Sequence, residues 1–148
     1  MDRRAQALGG LLHEVARLLR TRFDRNARPL RLTRAQAELL LVLLDRRSPT
    51  QSALASSLGV APITLARLLR RLEKAGLVRR LADAGDRRVR RVQLASAALP
   101  LIGQVRAVGD RTMAQALEGV SAQDRQRLAA VLGALKVNLL RKQPLGTT

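Results

Sequence analysis

The chain has 148 residues, with 28 Lys and Arg against 11 Asp and Glu, for a formal charge of +17 at pH 7. It contains no Cys, which excludes disulfides, thiolate metal sites and thiol-based redox sensing; no apolar run is long enough to span a bilayer. Hydrophobic residues make up 47% of the sequence, enough for a core, but Phe23 is the only aromatic, so packing must rest on Leu, Val and Ala, which suits helices better than a sandwich of strands.

The length fits one domain with helical extensions, and the elements can be taken in chain order. Leu8, Leu11, Leu12, Val15, Leu18, Leu19 and Phe23 recur at three- and four-residue spacing and predict an amphipathic helix, with Arg17, Arg20 and Arg22 off the stripe. It must end before Pro29, which disfavours helical geometry at Arg28. Thr33 with Gln36 forms a capping box, with Leu32 placed as a staple, and opens a second helix through Leu39, Leu40, Val42, Leu43 and Leu44. That helix is apolar on several sides and should be central. A short third helix, Gln51 to Leu58, is capped by Thr50. Gly59 supplies the turn, and Pro62 stands where a helix's first turn tolerates proline. The fourth helix runs to about Ala75, followed by Gly76 in the left-handed position.

Here the period changes. Leu77-Val78-Arg79-Arg80-Leu81 and Val89-Arg90-Arg91-Val92-Gln93-Leu94 read as two strands of a hairpin turned by Asp83-Ala84-Gly85-Asp86. From about Ser96 the chain is helical again, with Pro100 near the start. A break at Gly119-Val120 precedes Ser121, which caps a final helix with Asp124 at its third position. Leu128, Val131, Leu132, Leu135 and Leu139 form the last apolar stripe. The tail Gln143 to Thr148 is expected to fray.

The expected architecture is mainly α with a small β-hairpin: a winged helix-turn-helix lobe over 32–95, flanked by helical dimerisation regions over 1–28 and 96–142. On the fourth helix, Leu65, Leu68, Leu69 and Leu72 cluster on one side, and Thr64, Arg67, Arg70, Arg71 and Lys74 on the other. An apolar back anchors such a helix, while an Arg-rich front can meet phosphates and base edges. One charged helix face is equally compatible with an ordinary solvated surface. The hairpin shifts the balance towards a polyanion, because Arg79, Arg80, Arg87, Arg88, Arg90 and Arg91 crowd one ribbon with few acids nearby, although edge strands also carry charge to resist aggregation. A wing tip in a minor groove would neutralise that crowding. Asp86 reads either as a partner for an arginine that holds the wing's shape or as a plain turn residue.

These residues resemble the MarR (multiple antibiotic resistance regulator) family of bacterial transcription factors. The likeness is close over Leu32 to Leu94. It is carried by Leu32-Thr33 with Gln36, Thr50-Gln51-Ser52-Ala53-Leu54-Ala55, Leu58-Gly59-Val60, Leu72-Glu73-Lys74-Ala75-Gly76-Leu77-Val78-Arg79-Arg80 and Asp86-Arg87-Arg88. The sequence departs from the family pattern at Ala61, where a hydroxyl residue usually precedes the fourth helix, at Ala66, where threonine is common, and in Leu94-Ala95-Ser96-Ala97-Ala98, which lacks the usual glycine. The resemblance implies a homodimer with interlocked terminal helices, binding to pseudo-palindromic operators, and repression relieved by a small ligand. It also implies that Asp86 and Arg88 are the wing pair, with Arg88 entering the minor groove.

The candidate DNA-binding residues are therefore Gln51, Ser52, Thr64, Arg67, Arg70, Arg71, Lys74, Arg87, Arg88 and Arg90, with Asp86 stabilising the wing. The candidate dimerisation residues are Leu8, Leu11, Leu12, Val15, Leu128, Val131, Leu132, Leu135 and Leu139. Those two stripes could instead pack onto their own domain. The expected partners are double-stranded DNA, a second copy of the chain and a small-molecule effector the sequence does not identify; no cofactor, metal or membrane is expected. His13 is the lone histidine, Glu14 and Glu38 are isolated acids, and no Ser-His-Asp set or phosphate-binding glycine loop appears, so an enzyme is not expected. The start at Met1-Asp2-Arg3-Arg4 is unlike a signal peptide and suggests a cytoplasmic location. The reading that competes with a sequence-specific regulator is an architectural protein that coats DNA with little sequence preference.

Overall fold

A computed structural model describes residues 3–141. Lys142 and the tail expected to fray, Gln143 to Thr148, lie outside the described residues. The order is α1 (Arg3–Ala27), a short 3-10 turn (Arg28–Leu30), α2 (Arg34–Asp45), α3 (Gln51–Leu58), α4 (Pro62–Lys74), β1 (Val78–Ala82), β2 (Arg90–Leu94), α5 (Ala98–Ala116) and α6 (Ala122–Arg141). This is the mainly helical winged-helix order expected from the sequence. The chain divides into two compact units, with the boundary between Thr112 and Met113 inside α5.

In the first unit, local chemistry sets each boundary. Pro29 stops α1 and sits in the 3-10 turn, after which Arg31 takes a left-handed conformation with φ 53°. Thr33 and Gln36 form the reciprocal capping box of α2: the Thr33 hydroxyl accepts from Gln36 N at 3.2 Å, and Gln36 Oε1 accepts from Thr33 N at 2.9 Å. Thr50 caps α3 by accepting from Ala53 N at 3.1 Å. Gly59 at φ 62° and Gly76 at φ 73° end α3 and α4 in the left-handed region that favours glycine.

The core of this unit is built from Leu39, Leu40, Leu43, Leu54, Leu65, Leu69, Leu72, Val78, Val92 and Ile102. Each fully buried leucine contributes roughly 1.5–3 kcal/mol relative to leaving it in water. Helix α2 supplies three of these leucines, which is why it reads as apolar on several sides. Strands β1 and β2 pair antiparallel, Val78 opposite Leu94 and Arg80 opposite Val92, and a single bridge between Thr50 and Arg91 attaches the segment before α3 to the ribbon. The strands are displaced by one residue from the sequence expectation at three of their four ends. Leu77 belongs to the helix cap, where its amide bonds Leu72 O at 2.9 Å, and Val89 closes the turn by donating to Asp86 O at 3.0 Å.

Helix α5 begins at Ala98, two residues after the expected start, because Ala95 and Ser96 form a turn whose carbonyls accept from Ala98 and Leu99. At the end of α1, Asn26 Nδ2 donates to the buried Thr112 hydroxyl at 3.0 Å, and Arg111 donates to Asn26 O at 3.2 Å. Glu14 and Glu38 each meet an arginine on their own helix: Glu14 accepts from Arg17 at 2.7 Å, and Glu38 lies 4.0 Å from Arg34. Along α1, Leu8, Leu11, Leu12 and Val15 are all exposed.

In the second unit, the Ser121 hydroxyl accepts from Asp124 N at 3.1 Å and caps α6, as the sequence indicates. Arg125 closes the preceding turn by donating to the carbonyls of Leu117 and Val120 at 2.9 Å. Leu128, Val131, Leu132 and Leu139 are exposed on α6, while Leu135 is only partly so. No single helix among the described residues is long and apolar enough to cross a membrane.

Candidate nucleic-acid interface

Helix α4 has the two-sidedness required of a reading helix. Leu65, Leu69 and Leu72 are buried, at 1% exposure or less, and Leu68 is partly buried beside them. Thr64, Arg67, Arg70, Arg71 and Lys74 are all exposed. No ion pair ties Arg67, Arg70, Arg71 or Lys74 to an acid among the described residues. Their charge is left to be met by solvent or by an external anion. Gln51 and Ser52 stand in the first turn of α3 and line, with Ser56, Gly59, Val60 and Pro62, the shallow cleft between α3 and α4.

The ribbon sorts its arginines into different roles. The pairing register places Val78, Arg80, Ala82, Arg90, Val92 and Leu94 on one face, and Arg79, Leu81, Arg91 and Gln93 on the other. The first face carries the buried Val78 and Val92 and turns towards α4, because Arg80 Nε reaches Glu73 Oε2 at 3.0 Å. Exposed Arg90 shares that face. On the other face Arg91 is tied down: Nε bonds the Asp83 carboxylate and Nη1 donates to Ser48 O at 2.8 Å.

The crowd of ribbon cations with few acids nearby, expected from the sequence, is thus corrected for three members: Arg88 pairs with Asp86 at the tip, and two more pair nearer the root. Arg80 and Arg91 are neutralised within the fold by Glu73 and Asp83. The acids are close in space, and Glu73 and Asp83 lie seven and eight residues from their partners, so a scan of immediate neighbours misses them. Two acids at the turn, two potential partners and no way to read register explain why Asp83 appeared as a turn residue alone.

At the tip, Asp86 is a partner as well as a turn residue. Its Oδ1 accepts from Arg88 N at 3.0 Å and Arg88 Nε at 3.2 Å, and its Oδ2 accepts from Arg88 Nη2 at 3.2 Å. Those Arg88 bonds hold the Asp86 carboxyl below the usual carboxylate range. The Arg88 side chain is nevertheless 91% exposed, so its guanidinium is oriented without being buried. Arg87 is also exposed. Ala61, at the N-cap of α4, makes no side-chain cap bond. Ile63 is 67% exposed in the first turn of α4.

A family model described as the MarR family matches residues 32–89, the span from the α2 cap to the end of the wing turn. The solved structure of transcriptional regulator PA3341 is 39% identical, covers 91% of this chain and 99% of that one, and superposes with a TM-score of 0.79. The chain belongs to the MarR family.

Wild-type apo MarR from E. coli is 26% identical, over 86% of this chain and 95% of that one, with a TM-score of 0.80. A mutant E. coli MarR complexed with operator DNA is 25% identical, over 91% of this chain and 99% of that one, with a TM-score of 0.78. The protein is a MarR-family transcriptional regulator.

Proposed function

We propose that this MarR-family regulator acts as a homodimeric repressor on a pseudo-palindromic operator, and that a small-molecule effector releases it. The observation that carries the DNA reading is the unneutralised row Arg67, Arg70, Arg71 and Lys74, opposite the buried leucines of α4. A helix anchored by one side and cationic on the other fits the major groove, where Arg can grip guanine by two parallel hydrogen bonds. Thr64 and the α3 residues Gln51 and Ser52 sit at the ends of the helices that would face the duplex backbone. Arg87, Arg88 and Arg90 supply the wing's share, with Asp86 aiming Arg88 towards a narrow minor groove. The operator complex of the E. coli relative supports this assignment.

The exposed stripes Leu8, Leu11, Leu12 and Val15 on α1 and Leu128, Val131, Leu132, Leu135 and Leu139 on α6 are the surfaces a second copy would cover. Apolar side chains recurring along one face are more costly in water than scattered ones. Two-fold symmetry then sets the reading helices about 34–36 Å apart, one duplex turn, which demands a pseudo-palindrome. The function is regulatory rather than enzymatic.

The experiment is a titration of the purified protein on DNA from upstream of its own gene and on random duplex at one salt concentration, with sedimentation run in parallel. A dimer that prefers the upstream site by at least about 10³-fold is expected. Equal affinity for both duplexes would establish the architectural coat instead, and a monomer would remove the palindrome argument.

A further inference from the structure

We propose that Arg91 is a wing-positioning residue and not a DNA ligand, an inference that rests on the DNA reading above. Its guanidinium joins three segments. Nε bonds the Asp83 carboxylate at the start of the wing turn, and Nη1 donates to Ser48 O in the connection between α2 and α3 at 2.8 Å. Its backbone bridges Thr50, the N-cap of α3, and the next residue, Val92, donates from its amide to Pro49 O at 3.0 Å. Asp83 in turn organises the turn itself, because its Oδ2 accepts from Gly85 N at 3.0 Å and Asp86 N at 3.2 Å. The chain of contacts therefore runs from the root of α3 through Arg91 and Asp83 to Asp86, which holds Arg88. Fixing the wing in this way means that the exposed tip is ordered before DNA arrives, which lowers the entropic cost of binding.

The test compares Asp83→Asn, Arg91→Ala and Arg88→Ala on the preferred operator across a salt series. With a positioning role, Asp83→Asn and Arg91→Ala each weaken binding about tenfold, the scale of one lost charge-assisted hydrogen bond, without changing the salt slope. The Arg88→Ala penalty also shrinks in either background, whereas a general loss of fold stability would leave that penalty unchanged. If Arg91 contacts phosphate instead, Asp83→Asn frees it and tightens binding, and Arg91→Ala lowers the slope by about one; either result overturns the inference. Failure of the wild-type protein to prefer any operator would sink the DNA reading itself and is scored separately.

A second observation stands independently on α4. Ile63, Arg67, Arg70 and Lys74 follow at intervals of four, three and four residues, so Ile63 heads the same exposed strip as three cations. It is 67% exposed, with a β-branched apolar side chain at the end of the helix that reaches base edges first. The one apolar group on major-groove base edges is the thymine methyl. The geometry points to Ile63 as a specificity-determining residue that packs on a thymine methyl in each half-site. Replacing operator thymines one position at a time by uracil, symmetrically in both half-sites, is expected to weaken the wild-type protein about fourfold per half-site at one position, the value of one buried methyl. Ile63→Ala should be indifferent to that replacement. A wild-type protein insensitive at every thymine, or an Ile63→Ala protein as sensitive as wild type, would overturn the assignment.

Discussion

Arg80 of β1 donates from Nε to Glu73 Oε2 of α4 at 3.0 Å, so α4 and the first strand of the wing are joined by one ion pair. The Arg80 hydrogen bond holds the Glu73 carboxyl below its ordinary value, and Asp83 and Asp86 are lowered in the same way by Arg91 and Arg88. For a depressed carboxyl, the stability gained is fully present above the unfolded-state pKa and is lost as pH falls through the lower folded value. These three pairs should therefore leave stability flat between about pH 6 and 8 and weaken it only below about pH 4, the ordinary carboxylate range. Urea unfolding midpoints measured from pH 8 to 3 check this, and Glu73→Gln should flatten part of the acid limb. A change confined to neutral pH and abolished by Glu73→Gln would contradict the sign of the linkage.

Arg88→Ala is expected to weaken operator binding while the dimer sediments as before. The side chain is 91% exposed and bonds Asp86 at the wing tip, so its loss removes no packing. If its guanidinium sits in a minor groove, the slope of log affinity against log salt should become shallower by about one unit. Fluorescence anisotropy on labelled operator at several salt concentrations measures both quantities. Unchanged affinity would leave the wing without a DNA contact.

Arg67→Ala and Arg71→Ala separate base reading from phosphate binding on α4. Both side chains are exposed and neither is needed by the core. A residue that grips guanine should cost about 1–3 kcal/mol on the operator and relax preference at one position. A phosphate contact should instead lower affinity evenly on operator and random duplex. Binding to a panel of singly substituted operators distinguishes the two for each arginine.

The helices were legible because their signals are local. Thr33 with Gln36, Thr50 and Gly76 each mark a boundary through bonds spanning five residues or fewer, Pro62 marks one through its fixed φ, and helix ends fall at all of them. The two sides of α4 were equally legible, since sidedness follows from spacing alone. The wing was legible only in outline. Whether a ribbon arginine faces solvent or an acid depends on strand register and on which element lies behind it, and Arg91 meets a carbonyl 43 residues away at Ser48. No periodicity carries that distance. The exposure of Ile63 was not legible either, because its 67% is visible only once the buried side of α4 is known.

Helix α4 starts without a side-chain cap. Ala61 occupies the N-cap of α4 with φ −65° and ψ 148°, the extended geometry that an N-cap residue requires, yet it offers no side-chain acceptor. Thr33 and Thr50 take nearly the same backbone angles at the caps of α2 and α3, and each accepts an amide hydrogen bond there. Ala61→Ser therefore needs no backbone change to offer an acceptor to the Ile63 amide, or a second acceptor to the Thr64 amide, which bonds Ala61 O at 3.0 Å. It should stabilise the fold by about 0.5–2 kcal/mol, visible as a higher urea midpoint with an unchanged denaturant slope. Ala61 is exposed, so the added hydroxyl meets no steric barrier from the core. A midpoint that stays the same or falls would mean that the amides of the first turn are already satisfied by water as well as a serine could satisfy them.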